Sequence, residues 1–325
     1  MPDQPAGAER GAGSLLRLLS QYGISAALIF ELLLFSQLSP YFFTAENLLN
    51  VTLQVSITAI IAVGMTFVIL TSGIDLSVGA IVAMSGVLTT SLMKMQAPLP
   101  VVFLLAGTAG ILLGALSGWF AGICITKLNI TPFIVTMSLM TIWRGAAFLV
   151  TDGRPIWELP HEFSLLGSGR IGPVPFPSVV MIVIYVTAFV VLTRTAFGRY
   201  VYAAGGNREA ARLSGIRTDR IIISAYIISG ALAAVSGILL ASRMNSGQPN
   251  AGLMYELDVI AAVVVGGTSL FGGRGSIVGT FLGAMLIGIL RNGLNLLNVS
   301  SYLQMIVLGV VILLAVMLDQ IKTRK

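Results

Sequence analysis

At 325 residues, 56% of them hydrophobic and only 10% charged, with a mean hydropathy of +0.94, the chain is far more apolar than a soluble domain, of which roughly a quarter is charged. Water is excluded as the solvent for most of it, and about 20 apolar residues per spanning helix leave room for roughly ten crossings and little else. The formal net charge of +6 comes from 19 Lys and Arg against 13 Asp and Glu, and the placement of those charges decides what they report.

The apolar runs, in chain order, are Tyr22 to Leu38, Leu53 to Leu70, Ile74 to Met93, Leu99 to Ile125, Ile130 to Val150 and Ser178 to Thr193, then Ile221 to Ala241, Leu257 to Leu270, Ile277 to Leu297 and Tyr302 to Leu318. Their length predicts an all-α polytopic membrane protein with about ten transmembrane helices rather than a β-barrel, whose strands read as segments of about ten alternating residues. Arg10 and Arg17 precede the first run, and no small-residue cleavage site follows it, so it is expected to remain as a span. The eighth run is too short for a straight crossing of about 30 Å at about 1.5 Å per residue, which predicts a bent, broken or re-entrant element there.

Ten crossings with both termini in the cytoplasm place thirteen basic residues inside: Arg10, Arg17, Lys127, Arg194, Arg199, Arg208, Arg212, Arg217, Arg220, Arg274, Lys322, Arg324 and Lys325. Only Lys94, Arg154, Arg170 and Arg243 fall outside, while Arg144 and Arg291 lie within spans. That asymmetry is the positive-inside pattern, so the net charge reports topology and not nucleic-acid binding. The expected organisation is a cytoplasmic N-terminal segment, residues 1–20, followed by a single transmembrane domain, residues 21–325. The sole cysteine, Cys124, reads as a small buried hydrophobe, and the sole histidine, His161, as a solvated loop residue; neither points to a metal site, and no cofactor is expected.

Two connections are long. Thr151 to Pro177, with Trp157, Phe163 and Phe176 among Gly and Pro, predicts an ordered external cap. The cytoplasmic loop 194–220 carries six arginines against Glu209 and Asp219. Within it Asn207 stands as a possible N-cap before Glu209, Ala210, Ala211, Arg212 and Leu213, which predicts a short helix on the membrane face; composition alone also fits a solvated basic loop held by anionic lipid. Gly110, Gly114, Gly118 and Gly122 recur every fourth residue in one span, as do Gly275, Gly279 and Gly283 in another, and such stripes let helix backbones approach closely.

Polar residues inside spans cost roughly 2.5 to 3.5 kcal/mol each when charged and unpaired near the bilayer centre, so Glu31, Gln54, Asp75, Arg144, Arg291, Asn292 and Asn295 should face protein or water. Asp75 and Asp258 read as helix-end caps, and Arg144 and Glu31 as side chains that snorkel toward a boundary. Gln54, Asn292 and Asn295 are uncharged, which favours a passage for a neutral hydroxylated solute over an ion pathway. No paired catalytic constellation and no phosphate-binding G-x-x-x-x-G-K-[ST] loop occurs; the cluster Gly272 to Gly275 lacks the lysine.

Leu70 to Gly79, LTSGIDLSVG, reads as a tight turn at Gly73 with a helix start capped by Asp75. This segment resembles the signature of permease subunits of ribose-type sugar ABC importers. Gly198 to Ile216, GRYVYAAGGNREAARLSGI, resembles the stretch with which those permeases contact their ATPase. Tyr255 to Thr280, Asn292 to Val316 and Ser39 to Asn50 are similar to other parts of the same family. The resemblance implies a permease homodimer that receives sugar from a periplasmic or extracellular binding protein and is driven by a separate cytoplasmic ABC ATPase. By that analogy the ATPase would dock at Gly205, Gly206, Asn207, Glu209, Ala210, Arg212, Leu213, Ser214 and Gly215. Two other readings remain: a branched-chain amino acid permease of the broader family, and a proton-coupled secondary transporter using Glu31 or Asp75.

Overall fold

The computed structural model describes residues 8–323, with side chains described for residues 23–314 and for Met317. The described residues form α1 (Ala8–Leu38), α2 (Ala45–Leu70), α3 (Val78–Met93), α4 (Leu99–Lys127), α5 (Pro132–Thr151) and α6 (His161–Ser168), then α7 (Phe176–Arg194), α8 (Ala196–Gly206) and α9 (Arg208–Leu213). They continue with α10 (Thr218–Met244), α11 (Tyr255–Val265), α12 (Ile277–Leu296) and α13 (Ser301–Thr323). A hairpin of β1 (Arg170–Ile171) and β2 (Val174–Pro175) separates α6 from α7. A helix underlies each of the ten apolar runs. Six of them, α2, α4, α5, α7, α10 and α12, are long and apolar enough to cross a membrane, and shorter apolar helices cover Gly23–Leu38, Val78–Met93 and Ser301–Leu314.

Helix starts follow local chemistry. Thr44 and Ser276 cap α2 and α12 by accepting the amides of Asn47 and Gly279 at 3.3 and 3.0 Å. Pro occupies the first turn of α4, α5 and α7, where its missing N–H costs nothing. The loop Thr151 to Pro177 does fold: Phe163 on α6 is fully buried against Phe103, and Ile156 pairs with Gly247 through two backbone hydrogen bonds of 2.9 and 3.0 Å.

At the centre stands α2, buried without interruption from Ala59 to Leu70, with α10 packed across α2, α3 and α4. The α4 glycine stripe faces α10: a Cβ at Gly114 would strike the Gly230 carbonyl, one at Gly118 the Tyr226 carbonyl, and one at Gly122 the Ile223 backbone. The second stripe packs α12 on α11, Gly279 against Gly266 and Gly283 against Ala262. Polar ties cross these contacts. Ser236 donates to Ile57 O at 3.0 Å, Tyr185 to Ala59 O at 3.2 Å, and Thr66 meets Thr280 at 2.8 Å.

The eighth run is broken. Its helix, α11, has 11 residues and rises about 16 Å, half a hydrocarbon core. The irregular stretch 245–254 ahead of it descends beside α3, with Gly247 against Thr90 and Gly252 against Gly79 and Val82. Non-helical backbone at such depth needs protein partners. Arg144 supplies two of them: instead of snorkelling, its guanidinium donates to Pro249 O at 3.0 Å and Ala251 O at 2.6 Å. Beyond Val265 the run is loop, with left-handed Gly267 in it and left-handed Gly272 and Gly273 just past its end.

Asn292, expected to line a passage, faces protein instead. It is buried and exchanges two amide hydrogen bonds with Asn47, at 3.0 and 2.9 Å, while Asn47 also donates to Phe42 O at 2.8 Å.

Two stability measurements follow from this packing, read as thermal midpoints in detergent. Gly118→Ala drives a Cβ into the α10 backbone and should cost about 1–3 kcal/mol, whereas Gly107→Ala, with open space around it, should leave the midpoint within a degree or raise it. Asn292→Ala should cost about 1–3 kcal/mol by stranding Asn47. The double variant Asn47→Ala/Asn292→Ala should lose less than the two single losses together; strictly additive losses contradict the pairing.

Candidate functional site

Two regions carry polar chemistry, one at the α8–α9 end of the bundle and one in its interior. At the α8–α9 end, Thr195 caps α8 by accepting the Gly198 amide at 3.2 Å, a helix the basic composition of this segment hid. Asn207 then caps α9, its Oδ1 accepting from Ala210 N at 2.9 Å, and left-handed Gly215 turns the chain toward α10. Gly206, Asn207, Glu209, Ala210, Arg212, Leu213, Ser214 and Gly215 are all exposed, and only Ala211 of α9 points inward. Leu213 is 81% exposed. Asp219 holds this projection to the bundle by accepting from Lys127 at 2.7 Å and Arg208 at 3.1 Å.

Gly205 behaves differently from the rest of its segment, because it is buried. It lies against the Leu70 carbonyl at the end of α2, so closely that any side chain would collide. The same carbonyl accepts from Gly273 N at 3.0 Å. Ser72 donates to Gly205 O at 3.1 Å and to Phe271 O at 2.8 Å, and Tyr202 on α8 donates to Gly275 O at 3.0 Å. One junction thus ties α8 to the end of α2 and to the loop joining α11 to α12.

Gly73 and Asp75 follow in the α2–α3 turn. The left-handed residue of that turn is Ser72, not Gly73; Gly73 is needed because Tyr226 packs where its side chain would be. Asp75 is fully buried and ties the turn to α10: Oδ1 accepts from Ser77 N at 3.0 Å and Ser77 Oγ at 2.6 Å, and Oδ2 accepts from Ser229 Oγ at 2.8 Å. Ser77 itself occupies the N-cap position of α3, so Asp75 acts two residues ahead of it.

The interior region is a polar cavity of about 420 Å³ between α2, α10, α11, α12 and α13. Gln54 and Asn295 line it, and Asn292 does not. Sequence reasoning had not grouped Thr58, Arg243, Tyr255, Asp258, Arg291 and Gln304 with them. Asp258, expected as a helix cap, instead accepts from the Arg291 guanidinium at 2.6 Å across α11 and α12. Gln304 donates to Asn295 Oδ1 at 2.8 Å and to Val299 O at 2.9 Å. Gln54 lies sixteen residues before Leu70, about 24 Å along α2, so the cavity occupies the half of the bundle remote from α8–α9. The only sequence signal toward this group is that Asp258 and Arg291 are opposite charges within apolar runs, which makes them candidates for a pair without showing that they meet.

Comparison with known proteins places this architecture. The family profile described as branched-chain amino acid transport system permease component matches residues 47–316. The ribose import permease protein RbsC of Escherichia coli strain K12 is 47% identical over 309 residues, covering 94% of this chain and 95% of the relative. Its counterpart in Bacillus subtilis is 46% identical over 308 residues, with 94% of each chain covered. That of Haemophilus influenzae is 44% identical over 307 residues, with 93% of this chain and 94% of the relative covered. No solved structure gives a significant match. With its apolar helices and this extent of similarity, the chain is a multi-pass membrane protein that belongs to the branched-chain amino acid transport system permease family.

Proposed function

We propose that the chain is the membrane-spanning subunit of an ATP-driven importer that carries a monosaccharide, ribose or a close relative, across the inner (plasma) membrane. The observation that carries this reading is 44% to 47% identity to ribose import permeases from three bacteria over at least 93% of the chain. Ten crossings with cytoplasmic termini are supported by a helix beneath each apolar run and by the thirteen-to-four distribution of basic residues. In that orientation α9 projects into the cytoplasm, where a separate ABC ATPase would seat on its exposed face, with Leu213 as an apolar anchor. A binding protein would deliver sugar to the opposite side, and two copies of the permease would enclose the path.

The coupling route has a physical basis. ATP-driven displacement of α8–α9 acts on the junction at Leu70, Ser72, Gly205 and Gly273, hence on α2 and the α11–α12 pair. These helices are among those that line the polar cavity, with Gln54 and Asn295 as wall residues of the passage. Rigid helices joined at one end carry such a displacement to the other as a body. The family's own description favours a second reading, import of branched-chain amino acids. Against it, the cavity wall is rich in amides and hydroxyls, which suit a hydroxylated solute. Proton coupling through Asp75 is disfavoured because both its carboxylate oxygens are committed to serines.

Reconstitution in proteoliposomes with the ATPase and the binding protein tests the reading. ATP-dependent ribose accumulation that survives an ionophore is expected; accumulation abolished by the ionophore and indifferent to ATP would rule it out. Docking has its own measurement. Leu213→Glu should cut co-purification of the ATPase at least fivefold while the permease keeps its thermal midpoint, and unchanged co-purification there and at Gly215→Val would remove α9 from the interface.

A further inference from the structure

Asp258 lines the cavity yet is only 5% exposed, and half of its carboxylate is in use. Oδ1 takes the Arg291 guanidinium at 2.6 Å; Oδ2 is buried and has no hydrogen-bond partner among the described residues. A buried carboxylate oxygen without a donor costs about 1–3 kcal/mol or more, so this position is built for a donor that the protein itself does not supply. Arg291 spends one nitrogen on Asp258 and has further donors on the same planar group. Asp258 also sits in the first turn of α11, the half-length helix, next to the irregular stretch 245–254.

The surroundings select the chemistry of the occupant. Gln54 and Thr58 reach the cavity from α2 and Asn295 and Gln304 from α12 and α13, all of them neutral groups, and Arg243 at the end of α10 adds one further guanidinium, a donor only, to the wall. The closed Asp258–Arg291 pair itself has no net charge, so what it offers an occupant is one acceptor, Oδ2, beside the remaining guanidinium donors. Adjacent sugar hydroxyls, each both donor and acceptor, bridge the pair without opening it.

We infer that the Asp258–Arg291 pair is a sugar-binding station inside the permease, at which Asp258 Oδ2 accepts from one hydroxyl of a vicinal diol and the Arg291 guanidinium donates to its neighbour. The inference rests on the importer reading and adds that recognition of the sugar does not end at the soluble binding protein.

The test measures ribose imported per ATP hydrolysed, in proteoliposomes holding the permease and ATPase with saturating binding protein and D-ribose or L-leucine as substrate. Asp258→Asn should lower the ratio for ribose at least fivefold, since ATP cycles then proceed without sugar being taken over. Gln54→Ala, a neutral change on a different helix, should lower it at least twofold. A purely structural role would reduce uptake and hydrolysis together and leave the ratio where it was. A wild-type ratio in assembled Asp258→Asn overturns the station; if Asp258→Asn does not assemble, a wild-type ratio for Gln54→Ala overturns it. Absence of ATP-dependent ribose uptake by the wild-type complex, or uptake of leucine in its place, instead sinks the importer reading and this inference with it.

Discussion

Lipid gives helices no hydrophobic reason to associate and offers no partner to a stray backbone group. Everything in this bundle answers to that double constraint. Cohesion comes from small residues that bring backbones together, as along Gly114 and Gly118 on α4 against α10, and from hydroxyl groups that reach a carbonyl on the next helix, as Ser236 does at Ile57. Where the ladder is interrupted, other parts of the protein claim groups that it exposes. Arg144 at the 249–251 backbone and Ser72 at the ends of α8 and the α11–α12 loop are the clearest instances.

The same economy links the two functional regions. The end of α2 is pinned between α8 and Gly273, and α2 is buried on every side over its second half, so it has little freedom to bend. Its other half carries Gln54 and Thr58 into the cavity. The α11–α12 pair, held face to face through Gly279 and Gly283, shares the junction through its connecting loop and contributes Asp258 and Arg291. Three packed helices thus run continuously from the α8–α9 junction to the cavity.

The helices themselves were legible because a run of twenty apolar residues has one stable outcome in lipid. Capping at Asn207 was legible for a local reason, a side-chain oxygen three residues from the amide it accepts. The glycine stripes announced close packing, although not which helix they meet. What stayed hidden depended on distant partners. Asn47 and Asn292 are 245 residues apart, so nothing near Asn292 distinguishes an amide facing a cavity from one facing another amide. Gly73 looked like a turn glycine, but the left-handed position is Ser72, and the true reason for Gly73, the ring of Tyr226, lies far along the chain. Asp258 and Arg144 were misread in the same manner: a charge near the end of a run suggests a cap or a snorkel, and only the fold brings Arg291 to one and two carbonyls to the other.

The two carbonyls held by Arg144 make α5 responsible for a piece of chain it does not belong to. Bulk water would release and rebind such groups freely, whereas a guanidinium on a rigid helix holds them at one height. The approach to α11 is thus slung from its neighbour like a deck from a tie-rod: Pro249 and Ala251 are fixed to α5 a few residues ahead of Tyr255 and Asp258, so the wall of the chamber takes its height from a helix that does not line it.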